Sequence, residues 1–163
     1  MTDRAAPIPW RLPTRGRDPN EAHRGSTPLE LLFDLCFVVA VSAASSSLHG
    51  ALAGGHIADG VLGFLVVFIG IWWPWVNFTW FASAYDTDDV LYRLLTFVQI
   101  AGVLLVAAGV PSAFASDFRV TVVGFVIMRL ALVALWLRAA RDDPDGRPAA
   151  LRYAKGVAVI QVL

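Results

Sequence analysis

The sequence predicts an all-α fold: a polytopic bundle of transmembrane helices, with four complete spans and the start of a fifth. Three observations carry this. The 163 residues are 57% hydrophobic with a mean hydropathy of +0.62, above the roughly 45–50% apolar content of a soluble domain. The apolar residues gather in four runs, 29–48, 57–81, 91–110 and 120–137. Each is close to the roughly 20 residues a helix needs to cross a ~30 Å hydrocarbon layer. The connections between runs are too short for a folded domain, and only helices or closed barrels satisfy their backbone in lipid.

Residues 1–27 precede the first run. They are polar, with helix-breaking Pro7, Pro9, Pro13 and Pro19 and with Arg4, Arg11, Arg15, Arg17 and Arg24. This composition predicts a flexible cytoplasmic tail, leaving 28–163 as the membrane domain. The first run could imitate a signal peptide, with small residues at 51–53 as a cleavage site. The long leading segment and the charges of Glu30 and Asp34 inside the run favour a retained helix. Ser45, Ser46, Ser47, Gly54 and Gly55 predict a fraying helix end and a tight outer turn.

The second run ends in the stretch around which the chain is organised, 71–93. Four of the six tryptophans lie here, Trp72, Trp73, Trp75 and Trp80, followed by Asp86, Asp88 and Asp89. On a helix Trp73, Asn77 and Trp80 share a face, and indole rings suit the membrane–water interface. Asp86 or Thr87 is expected to cap the third helix, with the following acids favoured at its positive end. A calcium loop is the sharper reading, but the glycine and distal glutamate of an EF-hand are missing. A fifth apolar run begins near Leu151 and has only about thirteen residues before Leu163, too few to span. The expectation is an N-terminal fragment of a longer protein.

Orientation follows from the basic residues. With the N-terminus inside, all 13 arginines and lysines except Arg119 and Arg129 face the cytoplasm. The expected site of residence is the bacterial cytoplasmic membrane. The formal charge is zero, which gives no case for nucleic acid. Cys36 is the sole cysteine, so neither an internal disulfide nor a cysteine zinc cluster is possible. His49, His56 and Asp59 match no known ligand spacing. No phosphate loop, serine nucleophile elbow or zinc-protease histidine pair is present. The sequence thus names no catalytic residue, metal or cofactor, and its partners are the lipid bilayer and a small solute or ion.

Charges inside the spans are the candidate site. Glu30 and Asp34 stand one turn apart on one face of the first helix. Arg129 lies inside the fourth run. A charge at a helix centre costs roughly 2.5–3.5 kcal/mol on insertion scales, so it normally faces protein or water and finds a partner. At 1.5 Å per residue, Asp34 lies about 8 Å and Arg129 about 12 Å from the inner ends of their runs, a gap a guanidinium can bridge by snorkelling. Asn77 and Arg93 are placed in the same inner half. Glu30, Asp34, Asn77, Arg93 and Arg129 are therefore expected to converge, with Arg129 paired to Asp34. Such a cluster is either a structural network that locks the bundle or a working site.

The segments Glu30-Leu-Leu-Phe-Asp34-Leu, Trp72-Trp73-Pro-Trp75-Val-Asn77-Phe-Thr79-Trp80-Phe81 and Asp86-Thr-Asp88-Asp89, followed by Arg93, resemble the bacterial low-temperature-requirement protein A (LtrA) family. The resemblance covers 29–138. Pro74 stands where relatives often have a small residue, which predicts a local kink. The resemblance implies further membrane helices and a link to growth in the cold. It assigns no catalytic residues. Glu30, Asp34, Asn77, Asp86 and Arg93 match its motif positions, whereas Arg129 rests on the charge argument.

Three functions compete. One is a transporter of a solute, ion or proton that uses the inner-side polar site. Another is a non-catalytic structural or signalling membrane protein that supports the envelope in the cold. The third, an intramembrane enzyme with Glu30 or Asp34 as general acid or base, lacks a nucleophile or metal signature.

Overall fold

The computed structural model describes residues 9–17, 26–85 and 87–160. These form five helices and no strand: α1 (Pro28–Ala53), α2 (Ile57–Ala84), α3 (Val90–Phe114), α4 (Arg119–Asp142) and α5 (Arg147–Ile160). The first four are long and apolar enough to cross a membrane, so the chain is a multi-pass membrane protein.

Local chemistry sets the helix limits. Thr27 caps α1, its hydroxyl accepting from the Glu30 amide, and Pro28 occupies the first turn, where its missing N–H is harmless. Gly55, at φ +80°, makes the turn into α2. α2 continues through Pro74 to Ala84, so the proline does not end the helix. The cap of α3 is Asp89, whose carboxylate accepts from the Tyr92 amide at 2.8 Å. Sequence had placed the cap at Asp86 or Thr87; Asp86 lies outside the described residues. Other limits also differ from the hydropathy runs, with α1 reaching Ala53 and α2 Ala84; three bear on the polar ends. α3 reaches Phe114, α4 reaches Asp142, and α5 starts at Arg147 rather than near Leu151. Each added turn is polar or proline-bearing, so a hydropathy window stops before it.

α3 is the central helix. It packs against α1, α2 and most extensively α4, while α1 also packs on α2, and α4 on α2 and α5. The apolar core has two parts. Phe33 of α1 meets Phe78 of α2 at 4.2 Å between ring centroids, beside Val103, Val106 and Met128. Nearer the helix ends, Phe81, Tyr92, Leu135 and Trp136 form a second cluster. There Trp136 meets Phe81 edge-on at 5.0 Å and stacks on Tyr153 of α5 at 4.7 Å. The opposite faces of α1 and α2 carry exposed Leu35, Val38, Leu62 and Ile69, which suits contact with lipid.

Glycines let α3 and α4 approach. A Cβ on Gly124 would sit 2.6 Å from the Gly102 carbonyl oxygen, and one on Gly109 would sit 2.8 Å from the Thr121 nitrogen. In lipid, where burial of apolar surface drives little association, close backbone packing of this kind holds helices together. Gly124→Ala is therefore expected to lower stability by about 1–3 kcal/mol through overpacking. Gly70→Ala, where a Cβ meets nothing within 4 Å, should leave it unchanged or slightly raised. Thermal unfolding of the two variants in detergent checks this; equal stability would contradict the close-approach account.

Candidate functional site

At the end of the bundle where α1, α3 and α5 begin and α2 and α4 finish, the polar residues do not form the arrangement expected from sequence. The centre is Asp89, fully buried, with Arg138 of α4 also buried. The Arg138 guanidinium grips the carboxylate with two nitrogens, Nη1 to Oδ1 at 3.0 Å and Nη2 to Oδ2. Its Nη2 also donates to the Leu12 carbonyl at 2.7 Å. The Leu12 amide donates back to Asp89 Oδ2 at 2.6 Å. Burial alone would raise the Asp89 pKa, but the Arg138 hydrogen bond and the Tyr92 and Leu12 amides outweigh it and hold the carboxyl below the usual range.

Residues 9–17 form a strap across this pair. The Pro9 carbonyl accepts from the Val90 amide at 3.2 Å, and the Thr14 amide donates to Asp142 Oδ2 at 3.2 Å. Arg11 pairs with Asp142 at 2.8 Å. Further on, the Arg17 amide donates to the Ala84 carbonyl at 3.0 Å, and Gly16 bridges to Tyr85. Within the segment expected to form a flexible tail, backbone groups of 9–17 are hydrogen-bonded to helix ends. The rest of 1–25 lies outside the described residues. The strap, Asp89 and Arg138 were missed as one unit. Asp89 was explained only as an acid favoured at the positive end of α3, and Arg138 by topology alone.

The six residues singled out from sequence separate. Glu30 occupies the first turn of α1, half-buried. Asp34 accepts from the Trp75 indole Nε1–H at 2.7 Å, and Trp75 stacks on Phe37 at 5.3 Å. Arg93 pairs with Asp88 through two hydrogen bonds of 2.7 Å, beside a cavity of about 310 Å³ that also touches Thr27, Pro28 and Leu29. That hydrogen bond holds the Asp88 carboxyl low, against a smaller opposing effect of burial. Asn77 donates to the Trp73 carbonyl of its own helix at 2.7 Å. Asp86 lies outside the described residues.

Arg129 does not pair with Asp34. Among the described residues, no Cα of α1 comes within 8 Å of one in α4. The depths also differ, because α4 continues to Asp142: Arg129 lies about 20 Å from that end, Asp34 about 9 Å from the start of α1, at 1.5 Å per residue. Arg129 is instead 3% exposed, with its guanidinium over the Phe125 ring at 4.8 Å. Neither Nη1 nor Nη2 has a hydrogen-bond partner among the described residues. It borders a cavity of about 280 Å³ between α2, α4 and α5, whose wall includes Trp73, Asn77, Trp80, Arg152 and Tyr153. Structure therefore joins Asn77 and Arg129, and leaves Glu30, Asp34 and Arg93 elsewhere. Arg152 and Tyr153 were missed because the fifth run was read only by its length. Among the described residues, no group of three His, Cys, Asp or Glu side chains could hold a metal.

Comparison with known proteins agrees with this architecture. Residues 25–163 match the family described as bacterial low temperature requirement A protein (LtrA). An uncharacterized protein of Rhizobium meliloti (strain 1021) is 32% identical over 116 residues, covering 71% of this chain and 27% of that relative. The chain thus spans about a quarter of the length of the curated relative it matches. No solved structure matches. With four apolar spans and a match over nearly all of its described length, the chain belongs to the bacterial low temperature requirement A (LtrA) family.

Proposed function

We propose that this protein is a solute transporter or permeation protein of the cytoplasmic membrane, with its polar site in the crevice between α2, α4 and α5. One observation carries the reading. Arg129 is buried in a membrane span with no hydrogen-bond acceptor among the described residues, and it borders a cavity large enough for a small solute. An intramembrane charge that is not used to lock a bundle belongs to a path or a binding site. The Phe125 ring offsets only part of its cost, since a cation–π contact contributes about 0.5–2 kcal/mol. The structural or signalling reading has its own support in the Asp89–Arg138 pair and the strap, which fasten helix ends without needing a ligand.

We further propose that the N-terminus lies in the cytoplasm, a reading that the distribution of basic residues supports. The strap, Arg93, Arg138, Arg141, Arg147 and Arg152 all belong to one end of the bundle, while Arg119 stands at the other. In a Cys36→Ser background, an impermeant thiol reagent applied to intact cells should label Ala53→Cys and spare Arg15→Cys. The reverse pattern would invert the topology.

For the transport reading, the purified protein is screened for thermal stabilisation by ions, amino acids and small organic acids. At least one class should raise the Tm by several degrees, and reconstituted vesicles should show flux of that solute that falls in Arg129→Gln. No stabilisation by any class would overturn transport in favour of the structural reading.

A further inference from the structure

The crevice beside Arg129 has one sign of charge. Its wall contains two guanidinium groups, Arg129 from α4 and Arg152 from α5, and no carboxylate. Arg129 supplies the buried end: one face rests on Phe125, and Nη1 and Nη2, shielded from solvent, have no acceptor among the described residues. Arg152 is exposed at the rim. Trp73, Trp80 and Tyr153 supply aromatic surface, and Gly156 leaves α5 without a side chain where it faces the space. The Asn77 amide donates to the Trp73 carbonyl, and the charged donors of the lining are the two arginines. A guanidinium presents its N–H groups in a planar fork that fits two oxygens of a carboxylate or phosphate.

We infer that the crevice binds an oxyanion carried on a small apolar or aromatic body, with Arg129 as buried anchor and Arg152 as rim contact. This rests on the transport reading's placement of the solute site and adds the chemical class. A cavity of about 280 Å³ suits a ring-sized organic anion or a lipid headgroup, near the lower end of the roughly 300–1,000 Å³ of ligand pockets. Aromatic walls cover the apolar body, and the two arginines take the charge.

The test uses the full chain in phosphatidylcholine nanodiscs, with phenyl phosphate as the soluble probe and tryptophan emission and thermal unfolding as readouts. Parallel discs contain phosphatidylglycerol without probe. Phenyl phosphate should shift the emission and raise the Tm. Arg129→Gln should weaken its binding by at least about tenfold, as expected on losing charge-assisted hydrogen bonds. Arg152→Gln should weaken it less while leaving the unliganded Tm unchanged, which keeps the test decisive if Arg129→Gln folds poorly. Arg119→Gln, at the far end of the bundle, should bind normally. Stabilisation by phosphatidylglycerol with loss of phenyl phosphate binding supports the inference with lipid as the source. Phenyl phosphate binding unaffected by phosphatidylglycerol supports it with a free anion as the source. Binding unchanged in both Arg129→Gln and Arg152→Gln would overturn it. So would stabilisation by a cationic or neutral solute with neither oxyanion acting, although transport would then stand. No effect of any solute would remove both readings.

Discussion

The buried pair of Asp89 and Arg138 is the constraint on which one whole end of this bundle depends. Asp89 begins α3, and Arg138 lies one turn before the end of α4, so the pair ties the two most extensively packed helices where they separate. Removal of two charges from water is costly, and their attraction offsets that only when the remaining donors and acceptors are also satisfied. Here the Tyr92 and Leu12 amides complete the carboxylate, and the Leu12 carbonyl takes another guanidinium hydrogen bond. The strap is therefore part of the pair's solvation. Without Leu12 the ions would be incompletely bonded, and without the ions the strap would lose its central attachment. Arg147, whose Nε donates to the Ala140 carbonyl at 2.8 Å, fastens the next helix to the same end.

The middle of the bundle is held differently. Glycines bring α3 and α4 into backbone contact, and phenylalanine rings join α1 to α2. Against that closely packed side, the α2–α4–α5 side holds a crevice with mainly apolar walls, bordered by Arg129. Arg129 lies in the same helix as Arg138, about two and a half turns away at 3.6 residues per turn, yet the two have opposite circumstances. Arg138 has a bidentate carboxylate, although its Nε has no hydrogen-bond partner among the described residues, whereas Arg129 has an aromatic face and no acceptor. A protein that places both in one helix separates fastening from binding.

The helices were legible because each span needs a long uninterrupted apolar run, and hydropathy reads that directly. Their polar ends were not, since Arg138 and Arg147 fasten helix ends by pairing and hydrogen bonding, which a window average cannot see. Arg129 was legible as a charge that needs a reason to be buried. That it does not meet Asp34 was not legible, because depth along a helix was measured from the apolar run and not from Asp142, and because no pattern revealed that α1 and α4 stand apart. The Asp89–Arg138 pair could have been found by reading α3 and α4 as an antiparallel hairpin, which puts the start of one beside the end of the other. Asp89 had a sufficient local explanation as an acid at the positive end of α3, and it is in fact the cap, so the longer-range partner stayed hidden.

The measurement that bears most directly on this account is a double-mutant cycle on the pair, read by unfolding in detergent. Asn still caps helices well, so Asp89→Asn removes charge while keeping the α3 cap, and Arg138→Gln removes the opposite charge. Each single change should cost roughly 3–5 kcal/mol, because it leaves the other ion buried and unpaired. The double variant should cost less than the sum by at least about 1–3 kcal/mol, and both singles should expose 9–17 to protease. Losses that add to within about 0.5 kcal/mol, with the strap equally protected in all three variants, would contradict the pair's central place.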